Sequence, residues 1–334
     1  RGTTRILEIM KSARKGDILF FSESGGGSAL YALPVPSITL ENLQEVTRLL
    51  YFECGASMPD TNAVRTQLMV LRGKEGRYVG DATFIGIHTA ETPPNKPGML
   101  FHVRRSGPAS YQSAIKTLKR YEIWVKVPQS VRTYLEKADP EYGPIRPGEL
   151  DGKPQYHFRV MGSECMLEAA VKRSEELGLN TYVASSSLND IEDRQVGEIF
   201  AYMAQEVEVY GRPAKPPCVL TCGGELLVTL GKATGKGGRN QEFALSTAPR
   251  IDGSKDIVVA SIDSDGTDGP TDAAGGIVDG YTMARAKEAG LDVFYELDNH
   301  NSYEALRKLG DNIYTGARGT NVRDLRIAFV GKPS

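Results

Sequence analysis

The residues best suited to chemistry lie in one acidic stretch that follows a predicted strand. Residues 257–262 are apolar and largely β-branched, which predicts a buried strand. Four aspartates then fall within ten positions: Asp263, Asp265, Asp268 and Asp272. Carboxylates this close together are unfavourable unless a cation or hydrogen-bond donors neutralise them. We predict a metal or phosphate site here, with ordinary Asp turns as the alternative.

A glycine-rich loop lies just before the acidic stretch and leads into a predicted helix. Gly237 and Gly238 leave backbone N–H groups unobstructed by side chains. A helix beginning near Asn240 would point the positive end of its dipole at this loop, so anions are favoured there. We therefore predict that these three residues bind phosphate.

Arg239 stands between the glycines and the helix, and we expect it to contribute most to chemistry. Its planar guanidinium can bind two oxygens of a carboxylate or a phosphoryl group at once. The alternative is a structural salt bridge, to Glu225 or to Glu242.

A second glycine loop occurs near the start of the chain. Residues 18–21 predict a buried strand, and a serine-flanked glycine run follows it. Successive glycine N–H groups at the end of a strand can converge on an anion, although such runs are also found as plain turns. The predicted phosphate-binding residues of this loop are Ser24, Gly25, Gly26, Gly27 and Ser28.

The whole chain has the composition of a globular protein. It has 334 residues, 40% hydrophobic content and a formal net charge of -2, which argues against a nucleic-acid partner. No apolar run approaches the roughly 20 residues that a membrane span needs. Four scattered cysteines fit a reducing environment, so we expect a cytoplasmic location.

Strands alternate with helices through most of the chain, which predicts a layered α/β fold with parallel strands. A proline-rich segment, residues 211–217, interrupts this pattern, and we place a domain boundary there. The predicted domains are residues 1–213 and 214–334. Gly223 and Gly224 separate two apolar runs, which predicts a β-hairpin at the start of the second domain.

Four segments together resemble the C-terminal signature of the class II glycerate 2-kinases, the MOFRL family. They are residues 222–225 (Cys-Gly-Gly-Glu), 235–245 (Gly-Lys-Gly-Gly-Arg-Asn-Gln-Glu-Phe-Ala-Leu), 265–275 (Asp-Gly-Thr-Asp-Gly-Pro-Thr-Asp-Ala-Ala-Gly) and 319–325 (Gly-Thr-Asn-Val-Arg-Asp-Leu). The resemblance implies a Rossmann-like layered parallel-sheet N-terminal domain and a smaller α/β C-terminal (MOFRL) domain. It also implies ATP-dependent phosphorylation of the 2-hydroxyl of D-glycerate with Mg²⁺.

The resemblance also implies roles for individual residues. The residues expected in catalysis are Arg239, Asp265 and Asp268. Those expected to bind the substrate are Arg65, Arg239 and Asn321. Those expected to hold Mg²⁺ are Asp268 and Asp272. Arg65 lies in an Asn-x-Val-Arg sequence like that of the family, and its alternative is a solvated helix arginine.

The expected partners are D-glycerate and a nucleotide, with a homodimer as a possible assembly. The family carries a lysine thought to be catalytic in an N-terminal segment, and we expect the first domain to lack that segment.

Two other functions stay open. Relatives have been called hydroxypyruvate reductases, but no Gly-x-Gly-x-x-Gly sequence follows a strand here, as an NAD(P)H site would need. The other alternative is a non-catalytic relative that binds a nucleotide or a sugar acid.

Overall fold

The computed structural model describes residues 1–90 and 110–332. Contacts within the chain form two compact units, residues 1–160 and 161–334, and each is described by itself. The predicted boundary at 213/214 lies inside the second of these units. The division into domains 1–213 and 214–334 stays a prediction.

The first unit contains a three-stranded sheet in the order β1-β2-β3. Its strands are β1 (Ile18–Glu23), β2 (Thr83–Ala90) and β3 (Gln155–Gly162), the last of which ends just beyond the unit. β1 and β2 are parallel, with Ile18 opposite Thr83 and Glu23 opposite His88. The predicted α/β class, with a parallel sheet in the N-terminal region, is confirmed.

The first unit also contains helices. They are α1 (Gly2–Ser12), α2 (Gly27–Leu30), α3 (Leu40–Thr47), a π-helix (Arg48–Glu53), α4 (Met58–Leu68), a 3-10 helix (Glu75–Arg77), α5 (Tyr111–Arg120) and α6 (Gln129–Lys137). Ser57 begins α4, since its hydroxyl accepts the Asp60 N–H. The main apolar core of this unit lies among α3 to α6.

One side of β1 is open, contrary to the predicted buried strand. Ile18 and Phe20 are 61% and 65% exposed, whereas Phe84 in β2 is fully buried. The apolar run correctly predicted a strand, but a run of four apolar residues cannot distinguish one covered face from two.

The second unit contains a six-stranded mixed sheet in the order β4-β5-β9-β6-β7-β8. The strands are β4 (Asn180–Ser185), β5 (Cys218–Gly224), β6 (Ile257–Asp263), β7 (Gly275–Asp279), β8 (Asn312–Ile313) and β9 (Asp324–Val330). Only β4 and β5 pair in parallel. The last strand of the chain therefore inserts between β5 and β6.

The hairpin predicted at Gly223 and Gly224 is wrong. Gly224 has a φ of 120°, and the backbone of Leu188 lies where its Cβ would stand. The chain beyond it runs beside residues 188–192, where the Leu188 N–H donates to the Gly223 carbonyl at 2.9 Å. These glycines allow two backbones to approach closely, and the chain does not fold back on β5.

The second unit also contains helices, several of which contact this sheet. They are α7 (Ser163–Glu176), α8 (Asp193–Tyr210), α9 (Arg239–Ile251), α10 (Thr282–Glu288), α11 (Val293–Asp298) and α12 (Ser302–Leu309). The start of α9 matches the predicted start near Asn240. Because most of its residues are buried, α9 is the central helix of the unit.

Gly197 in α8 sets the separation of α8 and α9. A Cβ at this position would collide with the Ser246 hydroxyl and lie 2.9 Å from the Phe243 carbonyl oxygen. We expect Gly197→Ala to lower the free energy of unfolding by about 1–3 kcal/mol, measured by urea denaturation. Gly319→Ala is the control, because nothing lies within 4 Å of its Cβ position. Equal stability of the two variants would contradict this packing.

Among the residues that the structure describes, no helix is both long enough and apolar enough to cross a membrane.

Candidate active site

The ends of three strands meet at one edge of the second sheet. In the antiparallel register, Asp263 at the end of β6 stands opposite Asp324 at the start of β9. Gly224 at the end of β5 also pairs with Asp324. Segments far apart in sequence therefore bring charged groups to one place. The strand-end cluster comprises Glu225, Arg239, Asp263, Asp324 and Arg326.

The Arg239 guanidinium lies among three carboxyl groups. Its Nε donates to Asp324 Oδ2 at 2.7 Å, and its Nη2 donates to Asp324 Oδ1 at 3.0 Å. Nη2 also donates to Asp263 Oδ2 at 2.7 Å. Nη1 lies 3.3 Å from Glu225 Oε1, the longest of these contacts. The salt bridge to Glu225, one of the two alternatives considered for Arg239, is therefore present.

Glu242, the other partner suggested for Arg239, is bonded to a histidine. Both of its carboxylate oxygens lie 2.8 Å from His300 Nδ1. The hydrogen bond to Glu242 raises the pKa of His300, which favours the charged imidazolium. No described contact joins Glu242 to Arg239.

Asp324 and Arg326 form a fully buried pair beneath Arg239. Arg326 Nη2 donates to Asp324 Oδ2 at 2.7 Å, and its Nη1 donates to the Gly224 carbonyl at 3.3 Å. Burial by itself would raise the pKa of Asp324, but the charges of Arg239 and Arg326 outweigh it and hold that pKa below its usual value. Asp324 is thus the ionised anchor of the cluster.

Asp263 has the opposite character. Burial, and then the charge of Asp324, raise its pKa to about 8, while the charge of Arg239 offsets part of this effect. This shift favours the neutral form of Asp263. This neutral form limits the repulsion between the two facing carboxyl groups.

The raised pKa of Asp263 predicts a pH-dependent stability. Between its ordinary pKa of 3.8 and about 8, the folded protein binds a proton that the unfolded chain releases, so this group's contribution to stability falls as pH rises. We expect the free energy of unfolding of Asp263→Asn, relative to that of wild type, to increase as the pH rises from roughly 5 to roughly 8. Urea denaturation at the two pH values measures this difference. An equal difference in stability between the variant and wild type at both pH values would show that Asp263 is ionised in the folded protein.

Asp268 lies against the N-terminus of α9 and is 1% exposed. Its carboxylate accepts the backbone N–H groups of Asn240 at 3.1 Å and Gln241 at 2.8 Å. The side-chain amides of both residues also donate to it. A Cβ at Gly238 would collide with this carboxylate, so glycine is required there. Asp268 therefore satisfies N–H groups that a helix start leaves without partners.

These contacts bear on three predicted roles. The Asn240 N–H, predicted to bind phosphate, is donated to Asp268. Mg²⁺ takes oxygen ligands, but the groups surrounding the Asp268 oxygens are N–H donors. Asp272 is exposed and accepts the Tyr303 hydroxyl at 2.7 Å. Within residues 1–90 and 110–332, no three His, Cys, Asp or Glu side chains are grouped to hold a metal. A Mg²⁺ site at Asp268 therefore does not fit this geometry.

The structure brings together Asp265, predicted to act in catalysis, and Asn321, predicted to bind the substrate. Asn321 Nδ2 donates to Asp265 Oδ2 at 3.2 Å. The other oxygen of Asp265 accepts the N–H and the hydroxyl of Thr267 at 2.8 and 2.9 Å. Asp265 is half-buried, so its carboxylate is oriented by the protein and still reaches the surface.

The loop that carries Gly237 and Gly238 is held by the segment that follows α11. The Gly235 N–H donates to the Asn299 carbonyl at 3.0 Å, and the Lys236 N–H donates to Asn301 Oδ1 at 3.0 Å. The Tyr303 N–H donates back to the Lys236 carbonyl at 2.9 Å. The glycine loop is thus held on one side by hydrogen bonds to the backbone and to one side chain of this segment.

In the first unit, the predicted phosphate loop forms a tight turn at the end of β1. The Gly27 N–H donates to the Ser24 carbonyl at 3.1 Å, and Gly26 has a left-handed φ of 77°. Glycine suits that conformation. Gly25 lies in the same turn, and only the backbone of Ser28, in α2, is described.

Arg65 in α4 is 8% exposed. The alternative of a solvated helix arginine is therefore wrong.

Sequence reasoning missed most of the strand-end cluster. Asp263 was noted in the acidic stretch but received no role, and Asp324 was read only as part of a motif. Arg326 gave no signal, because it lies in an alternating strand where a charged residue predicts an exposed face. The position of Asp263 as the last residue of a strand was the available signal.

Comparisons with known proteins agree with this architecture. The MOFRL family model matches residues 218–324, and a model described as a domain of unknown function (DUF4147) matches residues 1–136. A glycerate 2-kinase of Pyrococcus horikoshii is 38% identical over 98% of this chain and 74% of that protein. A putative hydroxypyruvate reductase of Agrobacterium vitis is 31% identical over 98% of this chain and 83% of that protein.

A solved structure is also similar. The crystal structure of glycerate kinase from Thermotoga maritima has a TM-score of 0.73 and 34% sequence identity, covering 98% of this chain and 77% of that one. On these similarities the chain belongs to the glycerate 2-kinase (MOFRL) family and is a kinase of that family.

Proposed function

We propose that this protein transfers a phosphoryl group from ATP to the 2-hydroxyl of D-glycerate. The observation that carries the proposal is the similarity to a glycerate 2-kinase over 98% of the chain. The strand-end cluster supports it, because phosphoryl transfer depends mainly on positioning and on stabilising charge.

Arg239 is the proposed charge-stabilising residue. Its two contacts with the buried Asp324 fix the plane of the guanidinium. The longest contact of the guanidinium joins Nη1 to Glu225, whose side chain is 25% exposed. An oxygen of the substrate or of the transferring phosphoryl group could replace Glu225 at Nη1 without disturbing the anchor.

Asp265 and Asn321 are the proposed neighbours of the reacting groups, because they form a half-buried polar pair. Asp268 acts in this proposal by shaping the start of α9, and so by positioning Arg239. This replaces the direct catalytic and metal roles first assigned to Asp268.

ATP and Mg²⁺ are part of the proposal. When bound, Mg²⁺ would neutralise phosphate charge, and in kinases it is held largely by the nucleotide with one or two carboxylates. Asp272 is exposed and is one candidate for that contact. In the first unit, we propose that the turn at Ser24–Gly27 binds phosphate. A homodimer and a cytoplasmic location remain predictions.

An assay for glycerate-dependent ATP consumption and phosphoglycerate formation tests the proposal. We expect product to form only when D-glycerate, ATP and Mg²⁺ are all present, with chelation by EDTA as the control. ATP binding by calorimetry without any turnover would favour the non-catalytic alternative.

The reductase alternative has one observation in its favour, the name of the Agrobacterium vitis relative. It predicts oxidation of NADH or NADPH when hydroxypyruvate is added. The chain has no Gly-x-Gly-x-x-Gly sequence after a strand, so we expect no such oxidation.

A further inference from the structure

Two arginines of the first unit are buried without a counter-ion among the described residues. Arg65 in α4 is 8% exposed, and Arg72, shortly after the end of α4, is 1% exposed. In residues 1–90 and 110–332, Nε of both arginines and Nη1 of Arg72 have no hydrogen-bond partner. This is unusual, because buried arginines are almost always paired.

The two charges also oppose each other. Burial first, and then the charge of Arg72, lower the pKa of Arg65 to about 10. Arginine does not lose its proton at neutral pH, so both guanidinium groups stay charged. Buried charges without partners are strongly unfavourable, and an anion between them would relieve both the burial and the repulsion.

Glu75 is a buried carboxyl group of the same region, and one of its oxygens, Oε2, has no hydrogen-bond partner among the described residues. Its Oε1 accepts the Tyr31 hydroxyl at 2.7 Å and the Gly73 N–H at 3.1 Å. Burial raises the pKa of Glu75, which favours its neutral form. The charge of Arg72 lowers the pKa of Glu75 by less than burial raises it, and no ion pair joins these two residues in the described ranges. Glu75 is therefore not the missing counter-ion.

The arginines lie near the glycine loop of the first unit. The charges of Glu23, at the end of β1, and of Arg72 both affect the pKa of the Tyr31 hydroxyl. The backbone N–H of Tyr31 donates to the Gly27 carbonyl at 3.2 Å. Glu23 is itself 3.8 Å from His88 Nδ1. The end of a parallel strand is a common place for anions in α/β folds.

We propose that Arg65 and Arg72 together form an anion-binding site for a carboxylate or phosphoryl group of a ligand. The two guanidinium groups would each offer paired N–H donors, which suits planar or tetrahedral oxyanions. The site itself is inferred from the two arginines, and only the identity of the ligand rests on the proposed function. Its two sources are the carboxylate of D-glycerate and the phosphates of ATP.

Isothermal titration calorimetry of the full chain with D-glycerate, ATP and inorganic phosphate tests this site. We expect Arg65→Met and Arg72→Met each to weaken binding of one ligand by about tenfold or more, as loss of charge-assisted hydrogen bonds implies. The ligand affected identifies the source of the anion. The control is Arg77→Met, because Arg77 has its counter-ion in Glu149, at 2.5 and 2.9 Å.

Melting temperatures without ligand give a second measurement. Arg72→Met should melt at or above the wild-type temperature, since it removes an unpaired charge, whereas Arg77→Met should melt lower. If Arg72→Met does not fold, Arg72→Lys keeps the charge but loses the paired donors, and it should fold and bind weakly.

Unchanged affinity for all three ligands in the Arg65 and Arg72 variants would overturn the site. That result would leave the kinase proposal intact if wild type turns over. Conversely, weakened binding in the variants would support the site even if wild type showed no turnover.

Discussion

Arg239→Lys should reduce kcat/KM for D-glycerate by about 10²–10³ while the protein stays folded. Lysine retains a positive charge among the carboxyl groups of Asp324, Asp263 and Glu225, so the net charge of the cluster is unchanged. It cannot reproduce the planar fork that holds Asp324 at two points and presents a third nitrogen to a ligand. Steady-state kinetics and thermal melting of the same preparation measure the two effects.

Two further variants separate chemistry from structure at this position. Arg239→Met removes the charge and should lower the free energy of unfolding by about 3–5 kcal/mol, because it leaves buried carboxyl groups without their partner. Arg250→Lys is the matched control on the same helix, where Arg250 pairs at the surface with Glu198 at 3.0 Å. A lower melting temperature in Arg239→Lys with normal kcat/KM would show that Arg239 is only structural.

Asp268→Ala should lower the free energy of unfolding by about 3 kcal/mol, from the loss of a helix cap together with unsatisfied buried N–H groups. The variant leaves the N–H groups of Asn240 and Gln241 without an acceptor in a buried place. Chemical denaturation measures the change. Asp292→Ala is the control, since Asp292 caps α11 at an exposed position and its loss should cost about 1 kcal/mol.

Asp268→Asn distinguishes the capping role from a catalytic one. The amide oxygen can still accept a backbone N–H, so we expect a smaller loss of stability and substantial remaining activity. If Asp268 instead reacted directly or held a metal, Asp268→Asn would abolish turnover without a comparable loss of stability.

Local patterns predicted the elements that surround the site. The β-branched run predicted β6, and the glycines before Asn240 predicted the start of α9. Both depend on interactions between residues close in sequence, which periodicity and composition report directly. The family resemblance predicted a functional role for Arg239, which stays a prediction, and the structure places this residue in the strand-end cluster.

The partners of these residues could not be predicted in the same way. Arg239 and Asp324 are 85 positions apart, and they meet only because β9 inserts between β5 and β6 in an antiparallel register. Such pairing depends on tertiary packing, which the local sequence does not predict. The aspartates show the consequence. Asp268, predicted to act in catalysis and to hold Mg²⁺, accepts N–H groups at the start of α9, whereas Asp263, for which no role was predicted, contacts Arg239.

The direct test of the central claim is the position of the phosphate in the product. Wild-type protein with D-glycerate, ATP and Mg²⁺ should yield 2-phosphoglycerate, identified by phosphorus and proton NMR against authentic 2- and 3-phosphoglycerate. Formation of 3-phosphoglycerate, or ATP consumption without any phosphorylated glycerate, would contradict the account.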